Sequence, residues 1–189
     1  MLSRSLTDDA ELRALEPWRA PEFAAHVAAA QEHLLRWLPW GASAAEVDGA
    51  EKLLQRYADA QARGEGRILG IWVGDKLVGG VLFRVWDQAM GNCELGVWLA
   101  PEAVGRGLIT RASTEMIDWA FRVRGMHRVE WRCATGNTRS SAVARRLGMT
   151  KEGVLREAAP LHGVRHDIEV WAVLASEWPR SGLGIRPEA

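Results

Sequence analysis

From Asn92 to Ala134 the chain reads as strand, glycine turn, helix and strand, and this run constrains the fold more than any other segment. Leu95-Gly96-Val97-Trp98-Leu99 is an apolar strand. Val104-Gly105-Arg106-Gly107-Leu108-Ile109-Thr110 leads from it into a helix whose apolar residues Leu108, Ala112, Met116, Trp119 and Val123 recur at helical spacing. Gly125 ends that helix, and Arg128 to Ala134 reads as the next strand. Two strands joined through a helix enter a sheet in the same direction, so the run predicts one parallel crossover. The turn also carries chemistry. Free main-chain N–H groups at a helix start attract an anion, and Gly105 and Gly107 let a phosphate approach the backbone.

The flanking segments surround this crossover with antiparallel strands. Ala10 to Leu15 reads as a short first strand. Pro21 to Leu38 has helical spacing and stops at Pro39-Trp40-Gly41, and Ser43 is placed to cap a second helix through about Arg63. After Gly64-Glu65-Gly66, Arg67 to Val73 and Leu77 to Trp86 form a hairpin around Gly74-Asp75-Lys76. Thr138 to Leu147 is a short helix stopped by Gly148. Met149 to Ala159 and Val164 to Ala175 read as a closing antiparallel pair around Leu161-His162-Gly163. The expected class is α/β, with a mixed, mostly antiparallel twisted sheet, one parallel pair at its centre and flanking helices. Residues 1–180 read as one domain and 181–189 as a tail.

Lys plus Arg (24) balance Asp plus Glu (24), so no global charge draws the chain to nucleic acid or to an anionic membrane. With no signal-peptide core and no long apolar run, the expected location is cytoplasmic. Cys93 and Cys133 lie in predicted strands about 15 Å apart, too far to bridge, and read as buried free thiols. The five histidines show no metal-ligand spacing, so no metal is expected. The chain holds ten Trp against one Tyr, Tyr57.

Several phrases, in order, resemble the GNAT N-acetyltransferase superfamily, and within it the RimJ/RimL branch of ribosomal-protein N-terminal acetyltransferases. They are His33-Leu34-x-x-Trp37-Leu38-Pro39-Trp40, Glu94-Leu95-Gly96-x-Trp98-Leu99, the Gly105-x-Gly107 turn, His127-Arg128-Val129-Glu130, Asn137-x-x-Ser140, Ala144-Arg145-Arg146-Leu147-Gly148 and Glu152-Gly153. The resemblance spans roughly Glu11 to Trp178. It implies acetyl-CoA as donor and a primary amine as acceptor. It implies too that Asn92–Leu99 and Arg128–Ala134 splay apart around the pantetheine arm, with the pyrophosphate on Gly105 to Ile109.

Two departures stand out. Glu102 occupies the first position of the glycine turn, where the superfamily often has Gln or Arg, and a carboxylate there must point away from a pyrophosphate. The related serine N-terminal acetyltransferase has a catalytic Glu seven residues beyond its Glu-Gly phrase, where this chain has Ala159. Glu157 lies two residues earlier, on the same face if the strand is regular.

Glu94, on the central strand, is the leading candidate for the base; its alternatives are a solvent-facing carboxylate or one paired to an Arg. An α-amine is already about one-tenth neutral at pH 7 and lysine only about 0.04%, so a carboxylate acting through water suffices for an α-amine. Backbone N–H groups of Val97, Trp98 and Leu99 could polarise the thioester carbonyl. The resemblance puts Ser140 near the sulfur as proton donor and Asn137 on the pantetheine amides; helix capping and an Asx turn are the alternatives. The cofactor-binding set is thus Val97, Trp98, Leu99, Val104, Gly105, Arg106, Gly107, Leu108, Ile109 and Asn137. Trp37 and Trp40 either wall an acceptor groove or pack in the core, and Asp167 is placed near the acceptor amine. The expected reaction is direct transfer from acetyl-CoA to a peptide N-terminus or small amine. The competing readings are an acetyl-CoA-binding sensor without catalysis and a nucleotide-binding domain, against which the missing strand–helix repeats argue. The last strands could pair between subunits as a homodimer.

Overall fold

The computed structural model describes residues 3–179, so the tail at 181–189 lies outside the described residues. Its strands are β1 (Ser3–Ser5), β2 (Ala10–Ala14), β3 (Ile68–Val73), β4 (Lys76–Asp87), β5 (Asn92–Leu99), β6 (Arg128–Ala134), β7 (Thr150–Leu161) and β8 (Val164–Leu174). They form one sheet in the order β1-β2-β3-β4-β5-β6-β8-β7. Every pairing is antiparallel except β5 with β6. The mixed sheet with one central parallel pair is therefore as the sequence predicts. The three-residue β1 is an addition too short to leave a pattern.

Among the described residues, six α-helices cover the two faces. They are α1 (Ala20–Ala29), α2 (Gln31–Leu35), α3 (Gly41–Ala44), α4 (Val47–Ala62), α5 (Leu108–Arg122) and α6 (Thr138–Arg146). Strand alternation sorts side chains between two cores. On β5, Cys93 and Leu95 join Leu108, Ala112 and Met116 of α5 on one face. Trp98, one parity away, joins Phe23, Leu54 and Trp72 beneath α1 and α4. Gly80 of β4 makes room for that ring: a Cβ there would sit 2.1 Å from Trp98 Cη2. No helix among the described residues is long and apolar enough to cross a membrane.

Three local expectations change. The helix foreseen over 21–38 breaks at Ala30, which ends α1 and precedes α2 although the sequence has no Gly or Pro there. Ala30 and Leu34 are both buried, so packing redirects the chain where propensity would have continued it. The helix foreseen from Ser43 is two helices. Ser43 lies inside α3 and its Oγ donates to Trp40 O at 3.0 Å, while α4 starts after the extended Glu46. A Cβ at Gly49 would stand 1.9 Å from Ser43 O, so the break lets the two helices meet backbone to backbone. Val123 leaves the buried stripe of α5, being 51% exposed as the residue after its last turn.

The tryptophans also find a physical account. Indoles of Trp72, Trp86, Trp98, Trp131, Trp171 and Trp178 donate to side chains of Glu22, Gln88, His26, Ser140, Glu169 and Asp118. Apart from Trp86, whose partner Gln88 is exposed, each of these rings contributes apolar area and one N–H donor that satisfies a polar group in or beside the core.

Candidate active site

The parallel pair is joined over a short stretch. Its register runs from Asn92↔Arg128 to Leu95↔Trp131 and stops. Beyond it, β5 continues along β4 to Leu99, and β6 continues along β8 to Ala134↔Ile168. Gly96–Leu99 and Arg132–Ala134 therefore diverge, opening a wedge with its apex at Leu95 and Trp131. The main-chain polar groups along its edges have no strand partner across the gap.

At the mouth on the β5 side, Pro101–Ala103 makes one 3-10 turn and the chain passes through Gly105 (φ 89) and Gly107 (φ 71) into α5. A Cβ at either glycine would meet nothing within 4 Å, so the loop is open to solvent, and its positive φ values suit glycine. Among the described residues, the N–H groups of Gly105 through Thr110 have no protein acceptor. Leu108 and Ile109 bury their side chains and leave their N–H groups outward. Arg106 turns aside onto Asp9, at 2.6 and 2.8 Å. Glu102 is drawn to Lys76 at 2.8 Å, which holds its carboxyl below the usual range. Only the main chain of Trp98 reaches the wedge, because its indole donates to His26 Nε2 at 3.2 Å in the helix-side core. Burial pushes the His26 imidazole down, toward the neutral acceptor form that this bond needs.

On the β6 side, Asn137 caps α6: its Oδ1 accepts the Ser140 N–H at 3.2 Å. Ser140 Oγ accepts the Trp131 indole N–H at 2.9 Å. Ser141, the next residue, donates its hydroxyl to Glu169 Oε2 at 2.6 Å. Glu169 is buried, which pushes its carboxyl up. Lys151 at 2.6 Å, Ser141 and the Trp171 indole at 2.9 Å outweigh this and bring it down to about 2. Cys93 and Cys133 are free buried thiols. Burial pushes Cys93 up to about 12 and raises Cys133, so neither is an activated nucleophile.

Glu94 shares the parity of Trp98 on β5, the face toward α1 and α4, and is 5% exposed. Arg84 grips it with two bonds, Nε to Oε1 at 2.6 Å and Nη2 to Oε2 at 2.5 Å, and Arg132 Nε stands 3.7 Å away. Glu94 is therefore paired to an Arg and is not solvent-facing. Arg84 reaches Glu94 because β4 carries a bulge between Phe83 and Val85, whose partners Leu95 and Glu94 are consecutive.

Three segments approach one another beyond the wedge. The Trp37 ring meets His166 of β8 edge-on at 6.4 Å, and its Cη2 lies 3.5 Å from where a Gly136 Cβ would be. His162, at the β7–β8 tip, contacts Leu35 O at 2.7 Å through Nε2. Trp40 goes elsewhere, its ring at 6.0 Å from Phe23 and 5.8 Å from Trp98 against the helix-side core. Asp167 is occupied in holding its own hairpin: Oδ1 accepts the Glu157 N–H at 2.8 Å, and its carbonyl accepts Thr135 N–H at 3.0 Å. Glu157 sits in a bulge at φ 50, with the register slipping between Leu155 and Ala159, so the face-sharing expected of Glu157 and Ala159 does not hold. A furrow of about 540 Å³ along polar residues of α4 and its end, Asp48 to Arg63, is lined by none of these groups.

The sequence reading missed Arg84, Arg132, Trp131 and Glu169. Only Glu169 left a signal. It is a charge sharing the core-facing parity of Trp171 and Val173 in an apolar strand.

Residues 10–150 match the family model described as Acetyltransferase (GNAT) domain. A protein of Bacillus subtilis (strain 168), provisionally named ribosomal N-acetyltransferase YdaF, is 29% identical over 183 residues, covering 94% of this chain and 98% of that protein. Among solved structures, RimL, a ribosomal L7/L12 alpha-N-protein acetyltransferase in complex with coenzyme A, shares the fold with a TM-score of 0.86. Its identity is 23%, over 91% of this chain and 97% of that one. The microcin C7 self-immunity acetyltransferase MccE, in complex with acetyl-CoA and AMP, has a TM-score of 0.82 and 25% identity, over 89% of this chain and 94% of that one.

Proposed function

This chain belongs to the GNAT acetyltransferase family, and we propose that it moves the acetyl group of acetyl-CoA directly to a protein or peptide N-terminal α-amine. The wedge carries this reading: a strand edge without a partner beyond Leu95, next to a glycine loop with free N–H groups and no side chain in the way. Those features fit a pyrophosphate on Val104, Gly105, Arg106, Gly107, Leu108 and Ile109, with an amide-bearing arm along Val97 to Leu99 and Asn137. The MccE likeness, with acetyl-CoA bound in that protein, supports the same donor. Because β8 pairs with β6 and β7 with β8, residues 1–180 are taken as one domain.

Acetyl-CoA supplies an activated acetyl group and a thiolate leaving group. Glu94 accepts the acceptor's proton through water, using a lone pair that Arg84 leaves free. Main-chain N–H groups of Val97 to Leu99 polarise the acetyl carbonyl. Ser140 donates toward the sulfur. Trp37 and the β8 residues His166 and Asp167 bound the acceptor side. A carboxylate already gripped by a guanidinium suits an amine that is about one-tenth neutral at pH 7 better than lysine at about 0.04%. The YdaF likeness, through that protein's name, supports an amine on a ribosomal component as acceptor.

Thiol release from acetyl-CoA tests this across peptides beginning with Ser, Ala or Met, free lysine, polyamines and an aminoglycoside. Turnover on the α-amine peptides is expected. Turnover confined to lysine, polyamines or the aminoglycoside would replace the acceptor. Calorimetric acetyl-CoA binding without any turnover would favour the sensor reading, for which Ala159 and the Arg84 grip on Glu94 are the specific observations.

A further inference from the structure

We infer that Trp131 is a positioning residue for acetyl transfer, its indole fixing the Ser140 hydroxyl so that the hydroxyl's own proton is presented to the wedge. The inference rests on the reading of Ser140 as donor to the sulfur. Trp131 is 2% exposed and closes the β5–β6 register at the wedge apex. An indole N–H only donates, so at 2.9 Å from Ser140 Oγ it makes the serine the acceptor of that bond. A hydroxyl has one proton, and here the proton must leave in another direction. Among the described residues the Ser140 hydroxyl donates to no protein oxygen or nitrogen, and the Cys133 thiol beside it, raised by burial, is a weak acceptor.

Ser141 shows the opposite arrangement one residue later. Its proton is committed to Glu169 Oε2, and Trp171, the cross-strand partner of Trp131, donates to the same oxygen. Two paired indoles thus hold the first turn of α6, one spending a serine proton through Glu169 and the other sparing one. A donor directed into Oγ also strengthens the O–H as a donor in turn.

In the transfer the acceptor nitrogen bonds the acetyl carbon and the C–S bond breaks with its electron pair on sulfur. The nitrogen loses one proton and the sulfur gains one. Ser140 donates as charge grows on sulfur, and its proton is replaced from water.

The test is a double-substitution cycle in single turnover, with acetyl-CoA and a peptide bearing an N-terminal serine. Ser140→Ala is expected to slow transfer about 30-fold. Trp131→Phe, which keeps a ring and removes the N–H, is expected to slow it about 5-fold, with acetyl-CoA affinity within twofold by calorimetry. The double variant should be no slower than Ser140→Ala alone. Benzothienylalanine at position 131 keeps the bicyclic volume and replaces the N–H by sulfur, so it should slow transfer about as much as Trp131→Phe; full activity with it would assign the Phe loss to packing and overturn the inference. An equal loss from Trp131→Phe with and without Ser140 would overturn the inference and leave Ser140 standing. No loss from Ser140→Ala would overturn the reading of Ser140 itself.

Discussion

The two flanks of the wedge are built from different materials. On the β5 flank the groups offered to a ligand are main-chain N–H groups at Gly105 to Ile109, and the nearby charged side chains are diverted, Arg106 to Asp9 and Glu102 to Lys76. On the β6 flank the groups are side chains, each fixed by another: Ser140 by Trp131, Ser141 by Glu169, Glu169 by Lys151 and Trp171. A backbone site is insensitive to what its neighbours are, provided the conformation survives. A side-chain network fails wherever one member is removed, because the others become buried polar groups without partners.

The largest effect is therefore expected at Glu169. Glu169→Ala strands the Trp171 indole and takes the short bond from the Ser141 hydroxyl, while the exposed Lys151 turns to water, and should cost about 3 kcal/mol of stability in urea unfolding. The same carboxyl gives a pH signature. Its folded value, about 2, lies below its ordinary 4.5, so its stabilisation is present above pH 4.5 and fades as pH falls toward 2. Wild-type protein should lose about 2–3 kcal/mol more than the Glu169→Gln variant across that window. Parallel acid titrations of the two would show that the network does not hold α6.

Next comes a change that separates stability from binding. Gly107 precedes α5 at a left-handed φ, where Asp and Asn are the tolerated side chains, and open space surrounds its Cβ. The left-handed φ strains any side chain there, so Gly107→Asp and Gly107→Asn should each lower the melting temperature by the same few degrees, about 2–4 °C. The carboxylate of Gly107→Asp would face the pyrophosphate proposed for this loop, so acetyl-CoA affinity should fall at least tenfold by calorimetry, and Gly107→Asn should lose much less. Equal losses in the two variants would mean that the loop does not hold the charged end of the ligand.

The same contrast explains what could be read before the fold was known. The β5–loop–α5–β6 run is contiguous, its strands and helix obey their own periods, and its glycines mark the turn directly. The β6 flank is assembled across the chain. Trp131, Ser140 and Glu169 come from β6, α6 and β8, and no spacing rule joins them. Arg84 reaches Glu94 only because a bulge displaces β4 by one residue, and Asp167 pins another bulge that moves Glu157 out of phase. The one extra residue on β4 inverts side-chain parity beyond it, while the two extra residues between Leu155 and Ala159 restore parity and leave only the bulged residues, Glu157 among them, off the count.

Glu94 stands between the flanks, on β5 but gripped by a side chain. Glu94→Gln should lower kcat about 30-fold and leave the acetyl-CoA dissociation constant within twofold, because nothing assigned to donor binding involves its carboxylate. A parallel loss of donor affinity would place Glu94 among the binding groups and blur the division between flanks.

The smallest effect tests how far charge matters on the backbone flank. Glu102 and Lys76 form an exposed pair, with side chains 52% and 68% exposed, beside the glycine loop. Exposed pairs add little to stability, so neither Glu102→Gln nor Lys76→Ala should move the urea midpoint appreciably. Their influence on an anion is opposite in sign. Lys76→Ala leaves the Glu102 carboxylate uncompensated and should weaken acetyl-CoA binding about twofold at low ionic strength; Glu102→Gln leaves Lys76 uncompensated and should tighten it by a similar factor. Both shifts should vanish near 1 M salt, where the screening length falls to about 3 Å. If either survives, the pair acts through the loop's conformation rather than its field, and the β5 flank is less independent of its side chains than its free N–H groups imply.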